Sequence, residues 1–108
     1  IEFRHASWWN EETLNLLRHY NVAFCTVSGI NMPSDVMISA DFGYFRFHGP
    51  KEVYASEYSE EQLRKWADSI NEILSEGSIN DVYCYFNNDF HGFAINNAKT
   101  LQSLLNRR

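Results

Sequence analysis

The sequence predicts a parallel α/β fold: a partial (β/α)8 barrel with about four parallel strands and three main helices. Three observations carry this. Short aromatic and β-branched runs alternate with amphipathic helical stretches, an order that implies parallel pairing through right-handed crossovers. The helical stretches carry start and stop signals at both ends. Strand starts recur at roughly 20 to 40 residues, close to one β/α unit of a barrel. The 108 residues make one small domain with enough apolar content to bury a core. A complete barrel usually takes about 250 residues, so four such units are about half of one.

Taken in order, Ile1 to His5 alternates apolar and polar residues, as a strand does. Asn10 is an N-cap, with Glu11 and Glu12 in a first turn where the helix dipole favours acids. Leu14, Leu17 and Tyr20 mark that helix's buried stripe, and Asn21 ends it. Val22 to Ser28 is the second strand. Residues 29 to 41, with Gly29, Asn31, Pro33, Ser34 and Asp35, read as a loop in place of a helix, and Val36 to Ile38 is expected across the mouth of the sheet. The third strand is the aromatic run from Phe42 into His48 and Gly49, stopped by Pro50. Ser59 and Gln62 form a capping box for a helix whose stripe is Leu63, Trp66, Ala67, Ile70, Ile73 and Leu74, closed by Gly77. Asp81 to Asn87 is the fourth strand. Ala94, Ile95, Ala98, Leu101, Leu104 and Leu105 form a last amphipathic helix with Arg107 and Arg108 at its end.

Strand alternation then sorts the side chains. Phe3, Phe45, Phe47, Val82, Cys84 and Phe86 suit packing under helices. The opposite face carries Glu2 and Arg4, then Tyr44, Arg46 and His48, then Tyr83, Tyr85 and Asn87. A parallel sheet covered on both faces reads as continuous apolar strands, so this polar face looks into something else. In a barrel it is the interior, and sites form at the carboxyl ends of the strands. Those ends hold His5, Ser28, His48, Asn87, Asn88 and Asp89, with His91 just beyond. Glu2, Arg4 and Arg46 suit either a buried ion-pair lattice or ligand contact. The tyrosines suit either satisfied space-filling or a site, and Trp8 and Trp9 either wall a pocket or fill the barrel's lip.

Composition limits the function classes. A formal charge of −5 disfavours nucleic acid and anionic membranes as general partners. No apolar run is long enough to span a bilayer, and without a basic-then-apolar amino-terminal segment no signal peptide is expected in these residues. Cys25 and Cys84 lack any paired spacing and fit buried, reduced thiols of a cytoplasmic protein. No phosphate loop, nucleophile elbow or zinc-ligand spacing is present, so the cofactor is unknown. Because Ile1 already lies inside a strand, the sequence is expected to be a truncated or processed piece of a longer chain.

Glu2-Phe3-Arg4-His5 with Ser7-Trp8, Tyr44-Phe45-Arg46-Phe47-His48-Gly49, Tyr58-Ser59, and Val82-Tyr83 to Tyr85-Phe86-Asn87-Asn88 together resemble the YecE-like family, domain of unknown function 72. The resemblance runs along nearly the whole chain and keeps the order of its blocks. It implies a TIM barrel of which residues 1 to 108 are the carboxy-terminal half. It also implies family motif residues at Glu2, Arg4, His5, Trp8, Arg46, His48, Asn87 and Asn88. It brings no established activity.

Two functions are expected to compete. In an enzyme acting on a small anionic or phosphorylated substrate, His48 and His5 are the acid–base candidates and Glu2 orients them. Arg4, Arg46 and Lys51 hold the anion, and Asn87 and Asn88 bind hydroxyls. Glu2, His48, Asp89 and His91 are the ligands to test should a metal be needed. In a non-catalytic module, the arginines with Trp8, Trp9, Tyr44 and Tyr85 bind a metabolite or, less readily, a nucleic-acid strand. Either way, the exposed strand edges call for the missing barrel half or self-association.

Overall fold

The computed structural model describes residues 1–29, 35–51 and 56–105. It contains α1 (Glu11–His19), β1 (Cys25–Ser28), β2 (Phe42–Phe47), α2 (Glu60–Ser75), β3 (Asp81–Phe86) and α3 (Phe93–Leu105), with short 3-10 turns at Ala6–Trp8 and Phe90–Gly92. The three strands form one parallel sheet in the order β1-β2-β3.

The helix ends follow local chemistry. Asn10 Oδ1 accepts from the Thr13 amide at 2.8 Å. At the other end Asn21 adopts φ 52°. The Asn21 amide donates to Arg18 O at 3.2 Å and the Val22 amide to Leu17 O at 2.9 Å, the paired bonds of a Schellman ending. The helix therefore stops before Tyr20, which is 67% exposed and lies off the buried stripe expected to include it. α2 starts on the capping box: Ser59 Oγ accepts from the Gln62 amide, and Gln62 Oε1 from the Ser59 amide. Its end turns through Gly77 at φ +80°, a conformation open to glycine at little cost.

All three helices cover one face of the sheet. Phe45 and Phe47 lie under Leu63, Ala67 and Ile70 of α2 and Leu101 and Leu104 of α3. Phe47 stacks on Phe86 at 4.5 Å and meets Trp66 edge-on at 5.2 Å. Phe24 packs against Leu14 and Leu17 of α1. In α3 the buried positions are Ala94, Asn97, Leu101 and Leu104. Ile95 is 64% exposed, because the sheet-facing row is set by Leu101 and Leu104 rather than by every apolar residue. Arg107 and Arg108 lie outside the described residues.

Three expectations change. Ile1 to His5 keeps its alternation of faces but makes no strand. Among the described residues, only Ile1 of this segment bonds to the neighbouring backbone, its nitrogen donating to Ala23 O at 2.7 Å and its carbonyl accepting from the Cys25 amide at 2.8 Å. Side chains hold the rest, with Phe3 stacked on Trp8 at 5.0 Å and tilted against Phe24. Similarly, Val22 to Phe24 precede β1, because the Phe24 amide donates to Ser39 Oγ instead of to a strand. The segment Val36 to Ile38 does not cross the mouth. The Met37 amide donates to Thr26 Oγ1 at 3.1 Å, and Thr26 shares the helix-covered face with Phe45. Val36 packs on the α2–α3 core and Met37 on the α1 core. This segment thus fills the layer a crossover helix would occupy. No described helix is long and apolar enough to cross a membrane.

Candidate functional site

The register places Cys25 and Val27 beside Tyr44 and Arg46, and these beside Tyr83 and Tyr85, on the face without helices. Arg46, on the central strand, reaches both neighbours. Its Nη1 donates to Glu2 Oε1 at 2.9 Å, while Nε and Nη2 both donate to Asn87 Oδ1 at 3.2 and 2.9 Å. These two donors fix the orientation of the Asn87 amide, leaving its NH2 as donor. The other carboxylate oxygen of Glu2 takes Arg4 Nε at 2.6 Å and His48 Nε2 at 3.3 Å. A carboxylate only accepts, so His48 carries its proton on Nε2 in this contact.

Burial grades the cluster. The Glu2 side chain is 10% exposed, Arg46 30% and Arg4 62%, and His48 is buried. Two guanidiniums against one carboxylate leave a local excess of one positive charge, within a chain of net charge −5. Toward the amino ends of the strands the same face turns aromatic: Tyr44 stacks with Tyr85 at 5.2 Å, and Phe42 meets Tyr83 edge-on at 5.9 Å. A groove of about 560 Å³ runs past Glu2, Cys25, Tyr44 and Arg46, and another of about 530 Å³ past Tyr83 and Tyr85. The larger hollow, about 780 Å³, lies between α2 and residues 36–40, away from the charged cluster.

Cys25 Sγ lies 3.8 Å from Glu2 Oε1. Burial, followed by the Glu2 charge, pushes its pKa up to about 11. A thiol so raised stays protonated at neutral pH and is no nucleophile. Cys84, on the helix-covered face, is pushed up by burial to about 12. Both cysteines are free thiols.

Glu2, Arg4, Arg46, His48 and Asn87 are therefore brought together, with Tyr44 and Tyr85 beside them. The remaining candidates are not. His5 is exposed, and its Nδ1 caps the Ala6–Trp8 turn by accepting from the Ser7 amide at 3.1 Å. Trp8 is half exposed on Phe3, and Trp9 packs edge-on against Phe24. Asn88 is fully buried and follows Phe86 onto the helix-covered side. Its Nδ2 donates to Asn97 Oδ1 and Ser56 O at 2.8 and 2.9 Å, which commits it to scaffold. Asp89 and His91 are exposed, His91 with φ 54°, and Lys51 is exposed with its amide on Ser56 Oγ. Among the described residues no three His, Cys, Asp or Glu side chains gather as a metal site would need.

The sequence reading missed Tyr58 and Asn97. Asn97 Oδ1 accepts from the Tyr58 amide at 3.0 Å, and its Nδ2 donates to Tyr58 O at 3.1 Å. One signal was available: Asn97 falls three residues after Ala94 in the buried row of α3, where a polar residue needs a partner.

A family model described as "Protein of unknown function DUF72" matches residues 1–108. The crystal structure of a DUF72 family protein from Thermotoga maritima is 31% identical, with a TM-score of 0.87, over 97% of this chain and 45% of that one. Two crystal structures of a DUF72 family protein from Enterococcus faecalis are 19% and 21% identical, with TM-scores of 0.87 and 0.84. They cover all of this chain and 47% and 48% of theirs. The chain thus spans about half the length of these solved structures. None of the curated proteins matches it.

Proposed function

Because the chain belongs to the DUF72 family of proteins of unknown function, we propose that it is about half of a (β/α)8 barrel whose polar interior binds a small anionic ligand. Three things support the half-barrel: the parallel register, the polar face that no helix covers, and solved relatives about twice as long. On this reading the remaining barrel units complete the interior, and the cluster lies toward the carboxyl ends of the strands, where barrel sites are built.

One observation carries the ligand class. The single acceptor carboxylate is fully used, while donors are left over. Glu2 takes Arg4, Arg46 and His48. Two N–H groups of Arg46, the terminal nitrogens of Arg4 and the Asn87 NH2 have no protein acceptor among the described residues. A site rich in donors with a net positive charge suits a carboxylate or phosphate group, which guanidinium recognises through paired hydrogen bonds.

Binding is the first reading. The contact between Glu2 and His48 favours a second, proton transfer to or from the bound ligand, with His48 as the exchanging group and Glu2 orienting it. Against that, His48 is only 3% exposed, so the ligand would have to reach it through the Glu2 side of the cluster.

Calorimetric titration with inorganic phosphate and small phosphomonoesters tests the proposal. Arg46→Gln should weaken binding by about tenfold or more, a loss of about 1.4 kcal/mol or greater. Equal binding by that variant, or equal binding of uncharged sugars by the unaltered protein, would overturn it.

A further inference from the structure

Behind the charged cluster, on the opposite side of the sheet, one hydroxyl bridges the chain on both sides of His48. Tyr58 is buried, with its ring edge-on to Phe47 at 5.7 Å and Phe86 at 6.0 Å. Its hydroxyl donates to Ser28 Oγ at 2.8 Å and accepts from the Gly49 amide at 2.9 Å. The Ser28 carbonyl accepts from the His48 amide at 2.8 Å. The residue that receives His48 and the residue that follows it are thus both tied to one oxygen.

Gly49 adopts φ 116°, a region closed to side chains. The backbone therefore leaves His48 by a path that glycine alone takes readily, and the hydrogen bond from the Gly49 amide to Tyr58 holds it. Tyr58 is itself fixed at its backbone by Asn97, whose Oδ1 also takes Asn88. The ends of β1 and β2, the chain just past β3, and α3 thus meet in one buried polar network, in which Asn88 Oδ1 is left without a hydrogen-bond partner among the described residues.

We infer that Tyr58 is the positioning residue of this site: its hydroxyl holds the Ser28 and Gly49 backbone so that the His48 ring meets Glu2. The inference rests on the anion-site reading for its function but not for its geometry. Tyr58→Phe keeps the ring contacts and removes only the bridging oxygen, freeing the Gly49 backbone and loosening the imidazole. Glu2, no longer held by His48, then shifts on Arg46 and disturbs the donor surface.

The test compares the unaltered protein, Tyr58→Phe, and Ile70→Val as a control that weakens the core far from the strand ends. In Tyr58→Phe the His48 imidazole ¹⁵N–¹H correlations should move away from their unaltered positions, and inorganic phosphate should bind about tenfold more weakly. Ile70→Val should leave both unchanged while lowering stability. Imidazole signals in Tyr58→Phe that match the unaltered protein, or that Ile70→Val moves equally, would overturn the inference. If the unaltered protein binds no phosphate, the ligand class fails, and the imidazole spectrum still decides the role of Tyr58.

Discussion

Glu2→Gln should lower stability and raise anion affinity at once, a pairing that few other substitutions would give. The change keeps the side-chain shape and removes the charge that Arg46, Arg4 and His48 share. Breaking a fully buried ion pair from one side costs about 3–5 kcal/mol. Arg46 is 30% exposed and Arg4 62%, so water screens part of the loss, and the Arg4 pair contributes at most about 1 kcal/mol. The expected destabilisation is therefore about 2 kcal/mol. For a domain of this size each kcal/mol moves the melting temperature by about 4–8 °C, so thermal and urea unfolding should show it plainly. A double-mutant cycle with Arg46→Met isolates the pair, and a coupling of about 1–2 kcal/mol is expected. Meanwhile the local excess goes from one positive charge to two, and phosphate should bind about tenfold more tightly. A coupling near zero would refute the central place given to the Glu2–Arg46 contact. Weaker phosphate binding by a folded Glu2→Gln protein would refute the electrostatic reading of the site.

Two further outcomes follow from the same geometry. The two thiols should make stability fall as pH rises above about 9. Unfolding lets the Cys25 and Cys84 thiols ionise near their ordinary value of 9.0, whereas the folded protein holds them protonated up to about 11 and about 12. The unfolded state then binds fewer protons, and each thiol removes about 1.4 kcal/mol per pH unit across that window; urea midpoints at pH 8 and 10 measure it, and Cys84→Ala should shrink the slope, an unchanged slope counting against the assignment. The Asn87 amide donates to Phe47 O, so alternate residues Val82, Cys84 and Phe86 turn their backbone groups to the open side of β3. In residues 1–108 alone those three amides should exchange quickly, and in a chain carrying the other barrel units slowly; equal rates in both would argue against parallel closure at this edge.

Much of this was legible because it is local. Caps at Asn10 and Ser59 need only residues three positions away, and side-chain faces need only the period of two. The same period, carried one step past β3, separates Asn87 from Asn88: the first turns to Arg46, the second to Asn97. Grouping both at the strand end overlooked that. What was not legible depends on distant partners. Whether Ile1 to His5 pairs as a strand depends on the neighbouring backbone, and the bond from Tyr58 to Asn97 spans 39 residues. The loop at 36–39 substitutes for a helix through Met37 on Thr26 and Ser39 on Phe24, contacts that no propensity reveals.

The row Glu2–Arg46–Asn87 explains why the central strand carries an arginine on a face that could have been apolar. Its bonds span 44 and 41 residues of sequence, joining the segment before β1, the middle strand and the end of β3 at one height. A shift of any of these by one residue would turn its polar side chain to the helix-covered side, leaving a guanidinium or carboxylate unpaired at a cost of several kcal/mol. The row therefore adds a charged lock to the register that buried Phe45 and Phe47 already favour on the other face. That same demand makes an uncovered Asn87 amide informative. Its donors lie at the free end of the row, beside the open edge of β3. An acceptor from the next barrel unit would extend the register lock, whereas an anion held jointly with Arg46 would make the row a binding site. Phosphate titration of a chain with all barrel units, followed by the Asn87 side-chain NH2 signals, separates the two, because an amide already bonded to protein keeps its signals in place as phosphate binds, and an amide bonded to ligand shifts them.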